Sequence, residues 1–121
     1  MFLVDSCGWL EYFSGGKKAE RYEKYLLKPD LIIVPSIVLY EVYKKIKSGS
    51  DEDCAILAVA QMENSKVIMF NDDLSLLAAD VSLVHSLHMA DSIIYATAIS
   101  NKAVLVTSDE HFKGLEKVIF I

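Results

Sequence analysis

Short apolar runs separated by stretches with helical spacing constrain this chain more than anything else in it. Phe2-Leu3-Val4, Leu31 to Val34, Lys66 to Phe70, Ala103 to Val106 and Val118 to Ile121 all have strand composition. Leu31-Ile32-Ile33-Val34 is apolar at every position. A strand wetted on one face alternates, whereas a strand covered on both faces does not need to. Strands that alternate with helices imply a mostly parallel sheet with helices on its two faces. The expectation is therefore an α/β fold in three layers, α/β/α, with a central sheet of four to five strands. Ligands in such sheets sit at the carboxyl ends of the strands, near a switch in strand order.

The intervening stretches read as six helices. Asp5-Ser6 caps the first, where Trp9, Leu10 and Phe13 fall at helical spacing before Ser14-Gly15-Gly16. A second is expected over about 17–27, a third from Pro35-Ser36 to about Ile46, and a fourth from Asp51 to about Asn64. Asn71-Asp72-Asp73 caps a fifth, expected over 74–83, and the sixth runs from about Met89 to Ser100. With 121 residues, two prolines and five glycines, the chain reads as a single domain without linker or repeat.

Several classes fall away. No apolar stretch approaches the length of a membrane span, and Met1 to Val4 runs straight into Asp5 without a basic leader, so a soluble, cytoplasmic protein is expected. Cys7 and Cys54 lack the paired spacing of a zinc or redox motif. His85, His88 and His111 are not joined by a further cluster of His or Cys, which argues against zinc. There is no G-x-S-x-G elbow and no G-x-x-x-x-G-K-[ST] loop. A phosphoacceptor signalling domain would want paired acids after the first strand, but Ser6 and Cys7 follow Asp5.

What remains is a set of acids in telling places. Asp5 follows the first strand, and Asp109 follows the fourth after Thr107 and Ser108. Both belong to the carboxyl edge of the sheet, and they face each other if those strands are neighbours. Glu41 lies beside the apolar stripe Ile37, Val38, Val42 and Ile46, and Asp91 precedes Ile94, Tyr95 and Ala98 on an apolar helix. Each acid has an ordinary reading as a helix cap, a first-turn acid or a solvated edge. Taken together they make an all-oxygen donor set. Carboxylates crowded together repel unless a cation joins them. Hard oxygen donors suit Mg²⁺ or Mn²⁺, and such a site points to phosphodiester or phosphoryl chemistry. The net charge of −5, from 17 Asp and Glu against 12 Lys and Arg, does not suggest RNA by itself. Four of those 17 acids belong to the candidate site, so the remaining surface is close to balanced.

Four stretches resemble one family. Val4-Asp5-Ser6-Cys7-Gly8-Trp9-Leu10-Glu11-Tyr12-Phe13 is similar to the opening of PIN-domain proteins, particularly VapC-type toxins. Ser36 to Glu41, His88 to Ala98 and Leu105 to Phe112 resemble their second, third and fourth motifs, and the match covers essentially the whole chain. Ser92 stands where the family commonly has alanine after the acid. The resemblance implies a Mg²⁺- or Mn²⁺-dependent ribonuclease with Asp5, Glu41, Asp91 and Asp109 as its acidic quartet. Ser6 and Thr107 become polar companions, and Ser108 is a third hydroxyl beside them. It also implies a homodimer and a cognate VapB-type antitoxin that blocks the site. Lys44, Lys45 and Lys47 follow Glu41 on its helix and are candidates for RNA phosphate contacts. Trp9, Tyr12, Phe13, Tyr22 and Tyr25 are candidates for a dimer or antitoxin surface, or for core. The rival reading is a catalytically silent PIN-like module that binds RNA or a protein. Four converging acids argue against it, since a scaffold has no need of them.

Overall fold

The computed structural model describes residues Met1–Ile121. Its strands are β1 (Phe2–Val4), β2 (Ile32–Pro35), β3 (Lys66–Ile68), β4 (Val104–Thr107) and β5 (Val118–Phe120). They form one sheet in the order β3-β2-β1-β4-β5. Every pairing is parallel, so the sheet is wholly rather than mostly parallel. The helices are α1 (Ser6–Ser14), α2 (Ala19–Leu26), α3 (Ser36–Gly49), α4 (Glu52–Met62), α5 (Asp72–His85) and α6 (Met89–Ser100). The chain moves outward from β1 to β2 and β3, then returns through α5 and α6 to lay β4 on the other side of β1. The order therefore reverses between β1 and β4.

Burial shows why the strands are short and apolar. Leu3 and Val4 of β1, all four residues of β2, and Leu105 to Thr107 of β4 are buried. Successive strand residues point to opposite faces, so burial of both means that both faces are covered. The core cluster also takes Trp9, Tyr22, Val38, Val42, Ile94 and Phe112. Helix α6 is buried along Ser92–Ala98 and forms the most enclosed helix of the fold. Trp9 and Tyr22 are thus core residues and not a docking surface.

Element limits differ from the sequence expectation for local reasons. Leu31 belongs to a one-turn helix at Pro29–Leu31 and is exposed, so β2 starts one residue later. The third strand stops at Ile68 because its partner β2 stops at Pro35, where α3 begins. Met69 and Phe70 have no strand to pair with and stand exposed. The α2 helix starts at Ala19, because the Glu11 carboxylate accepts from the Lys18 N–H at 3.0 Å and holds Lys17-Lys18 in the turn. Helix α5 reaches further at both ends: Asn71 alone caps it, accepting from the Leu74 N–H, and Ser86 at φ 56° ends it.

Gly8 fixes how closely α1 approaches the sheet. A Cβ there would meet Tyr22 at 2.5 Å and Val4 at 2.6 Å, and both of those side chains are fully buried. Alanine gains up to about 1 kcal/mol over glycine in helix propensity. Overpacking a filled core costs about 1–3 kcal/mol. Gly8→Ala is therefore expected to lower stability despite the better helix former, a loss measurable by urea unfolding.

Candidate metal centre

The site begins with the pairing of β1 and β4, in register at Phe2↔Val104, Leu3↔Leu105 and Val4↔Val106. Pairing continues one residue further, as the Asp5 N–H donates to the Val106 carbonyl at 3.0 Å. Asp5 is only 4 % exposed. Its Oδ1 accepts from the Ser6 N–H at 2.7 Å and caps α1. Its Oδ2 accepts from the Thr107 hydroxyl at 2.8 Å. The same hydroxyl accepts from the Asp109 N–H at 2.9 Å. One buried threonine thus ties the end of β1 to the end of β4. The Cys7 thiol sits beneath this link, 3.7 Å from Asp5 Oδ2 and 3.6 Å from Thr107 Oγ1.

Asp109 turns back onto its own chain, where Oδ1 accepts from the His111 N–H at 2.9 Å and caps the short helix Glu110–Phe112. Asp91 lies in the first turn of α6. Its Oδ2 is 2.9 Å from His111 Nδ1, which is also 3.4 Å from Asp109 Oδ1. One donor atom from each of Asp91, Asp109 and His111 lies within 4.8 Å of the others. Glu41 projects from α3, with a buried Oε1 that has no hydrogen-bond partner. Asp5 and Glu41 are outside the tight cluster and are coupled to it by charge.

A family model for the PIN domain matches residues 2–118. The chain belongs to the PIN-domain family. Solved structures share the PIN architecture at low identity. A toxin–antitoxin complex from Klebsiella pneumoniae has a TM-score of 0.83 at 22 % identity, covering 98 % of this chain and 96 % of that one. VapC20 from Mycobacterium tuberculosis, described as a sarcin–ricin loop cleaving toxin, has a TM-score of 0.79 at 17 % identity, with 100 % and 97 % covered. VapBC2 from Rickettsia felis, bound to a DNA fragment of its promoter, has a TM-score of 0.76 at 16 % identity, with 99 % and 96 % covered. No curated protein matches the chain in sequence.

Charge coupling extends across the acids of this PIN domain. Burial pushes the Asp5 carboxyl above its ordinary range, against the hydrogen bonds from Thr107 and Ser6, and the charges of Asp109 and Asp91 push the same way. Burial also raises Glu41, followed by the charge of Asp5, with Asp91 and Asp109 adding to it and the nearby Ser6 opposing. The donor set suits a hard divalent cation, and the unpartnered Glu41 oxygen is what such an ion would satisfy.

The neighbouring polar residues divide. Ser6, Glu41, Lys44 and Lys45 line one cleft of about 480 Å³. Lys47 is drawn away from it, 3.5 Å from Glu52 Oε1 and 3.3 Å from the Tyr43 hydroxyl. Ser108 is hydrogen-bonded to the Tyr22 hydroxyl in the core rather than to an acid. His85 stands edge-on to Tyr95, whereas the His88 ring is 5.9 Å from His111. His111, set aside with the other histidines when the sequence argued against zinc, is the residue that sequence reasoning did not place beside the acids. Its signal was the Asp-x-His spacing at a capped turn, which aims the imidazole back at the capping acid.

A carboxyl whose pKa is raised by folding holds its proton more tightly folded than unfolded. Its ionisation therefore destabilises the fold, with the loss starting above the ordinary values of 3.8 for Asp5 and 4.5 for Glu41. His111 is raised too, chiefly by its hydrogen bond to Asp91, and loses its contribution in the same direction as pH rises. Chelator-treated protein should melt at lower temperature as pH climbs from about 5 to about 8. Saturating Mg²⁺ or Mn²⁺ should flatten that slope. Glu41→Gln should raise the melting temperature of the chelated protein by a few degrees near neutral pH, by removing a repelled charge. Thermal melts across the pH range check all three.

Proposed function

We propose that this PIN domain is a Mg²⁺- or Mn²⁺-dependent ribonuclease and the toxin of a VapBC-type toxin–antitoxin pair. The observation that carries the proposal is the close pair Asp91 and Asp109 at the switch point of the sheet, with Asp5 and Glu41 coupled to it by charge and a buried Glu41 Oε1 without a hydrogen-bond partner. The Klebsiella and Mycobacterium structures, described as a toxin–antitoxin complex and an RNA-loop-cleaving toxin, support the reading.

In this proposal Asp5, Glu41, Asp91 and Asp109 hold the cation. The bound ion supplies charge neutralisation and Lewis acidity at a scissile phosphate. Thr107 keeps the Asp5 carboxylate and the Asp109 backbone in fixed relation. Ser6 supplies a hydroxyl at the mouth of the cleft. Lys44 and Lys45, on the cleft wall, attract RNA phosphates against the negative charge of the whole chain. Lys47 and Ser108 are engaged elsewhere and take no direct part.

A second groove, of about 780 Å³, adjoins the acid cleft and shares Leu10 and Lys45 with it. Phe13, Ile46, Leu57 and Ala58 make it apolar, and Leu57 is 70 % exposed. An apolar segment of the antitoxin fits this groove and from there covers the acids. Leu76, Leu83 and Val84 leave an apolar face open on α5, with Met89 just beyond, which supports a homodimer.

Purified protein is expected to cut RNA with Mg²⁺ or Mn²⁺ and to stop with chelator. Asp5→Asn and Asp91→Asn should each lose about 100-fold or more in rate, because each removes a charge the cation needs. Equal residual cleavage by parent and variants would mark a contaminant and leave the silent binding module as the reading. Lys44→Ala with Lys45→Ala should raise KM and reduce the salt dependence while kcat holds. Leu57→Asp should release the protein encoded by the neighbouring reading frame in co-purification, with RNA cleavage retained.

A further inference from the structure

An imidazole stands among the acids where an all-oxygen site has no use for one. His111 Nδ1 is 2.9 Å from Asp91 Oδ2 and 3.4 Å from Asp109 Oδ1. In an octahedron with donors about 2.1 Å from the ion, adjacent donors stand about 3.0 Å apart. The shorter separation matches that of neighbouring ligands on one ion, the longer exceeds it by about 0.4 Å, and all three donor atoms lie within 4.8 Å of one another. The backbone holds His111 in that place. Its N–H is bound by Asp109 Oδ1 at 2.9 Å, and the Phe112 N–H returns to the Asp109 carbonyl at 3.1 Å. Phe112 is fully buried and anchors the turn. The His111 side chain is still 59 % exposed, so it can shift by tenths of an ångström without disturbing the core.

We propose that His111 is a ligand of the bound cation through Nδ1, completing a mixed site with Asp91 and Asp109, and that it tilts the site from Mg²⁺ toward Mn²⁺. Imidazole is a poor ligand for Mg²⁺, which demands oxygen, and a better one for later divalent ions. The same nitrogen hydrogen-bonds Asp91 and lies 3.4 Å from Asp109 Oδ1. A bound ion would take that hydrogen bond's place, with Asp91 and Asp109 beside it as oxygen donors.

The inference rests on the metal-dependent reading above, and binding measurements on purified protein separate the two. Mn²⁺ titrated into chelator-stripped protein is followed by calorimetry, and its ligands by pulsed electron paramagnetic resonance. Imidazole-nitrogen coupling to Mn²⁺ is expected, with the isotope pattern changing when histidine is labelled with ¹⁵N. His111→Ala and His111→Gln should both abolish the coupling and weaken Mn²⁺ about tenfold, with Mg²⁺ within about twofold. His88→Ala should keep it. Mn²⁺ that depends on Asp91 but shows no nitrogen coupling overturns the His111 assignment and leaves the carboxylate site standing. Coupling that survives in His111→Ala also overturns it. Mn²⁺ binding indifferent to Asp91→Asn overturns this inference and the metal-dependent reading together.

Discussion

The Thr107 hydroxyl lies at the point on which the site turns. It donates to Asp5 Oδ2 and accepts from the Asp109 N–H, using one donor and one acceptor in a place with no water access. The first of those bonds is possible only because β1 and β4 are neighbours in parallel register, while the second is a local turn that follows β4. The neighbourhood arises because the chain crosses back over the sheet after β3. Without that hydroxyl the buried Asp5 carboxylate would keep only the Ser6 N–H and the Cys7 thiol, and the Asp109 N–H would lose its partner. The fold and the site therefore share one hydrogen-bonded joint.

Above that joint the structure gathers negative charge that it does little to neutralise. Asp5 and Glu41 are both raised by burial and by their neighbours' charges, and no lysine or arginine forms an ion pair with any of the four acids. His111 is the one side chain with cationic character in contact with them. The arrangement destabilises the metal-free protein locally and makes the site receptive to a cation. Lys44 and Lys45 stand back on the α3 wall of the cleft, without collapsing onto the acids.

Much of the architecture was legible before any coordinates. The unbroken apolar run at Leu31 to Val34 announced a strand covered on both faces, although Leu31 itself falls outside it. The caps at Asp5, Asn71 and Asp109 are all made as their sequence positions suggest. Strand ends were less legible. Met69 and Phe70 have strand composition, yet no neighbouring strand reaches them, and pairing is a property of the partner as much as of the residue. The acids also proved to hold their ordinary local jobs at the same time: Asp5 caps a helix and faces the site with the same carboxylate.

The sequence by itself determined the alternation of strands and helices, the parallel sheet, the placement of Asp5 and Asp109 at strand ends, and the motifs of the PIN family. Those features are local, set by side-chain type and by spacing of two or four residues. Tertiary structure alone decided which polar groups meet. It turned His111 inward to Asp91 from 20 positions away, sent Ser108 to Tyr22, and drew Lys47 to Glu52. It also placed Trp9 and Tyr22 in the core, where sequence left them open between core and interface. Periodicity shows which face of an element is apolar. The direction of one short polar side chain at the edge of a sheet depends on the strand order and on the turn that carries it.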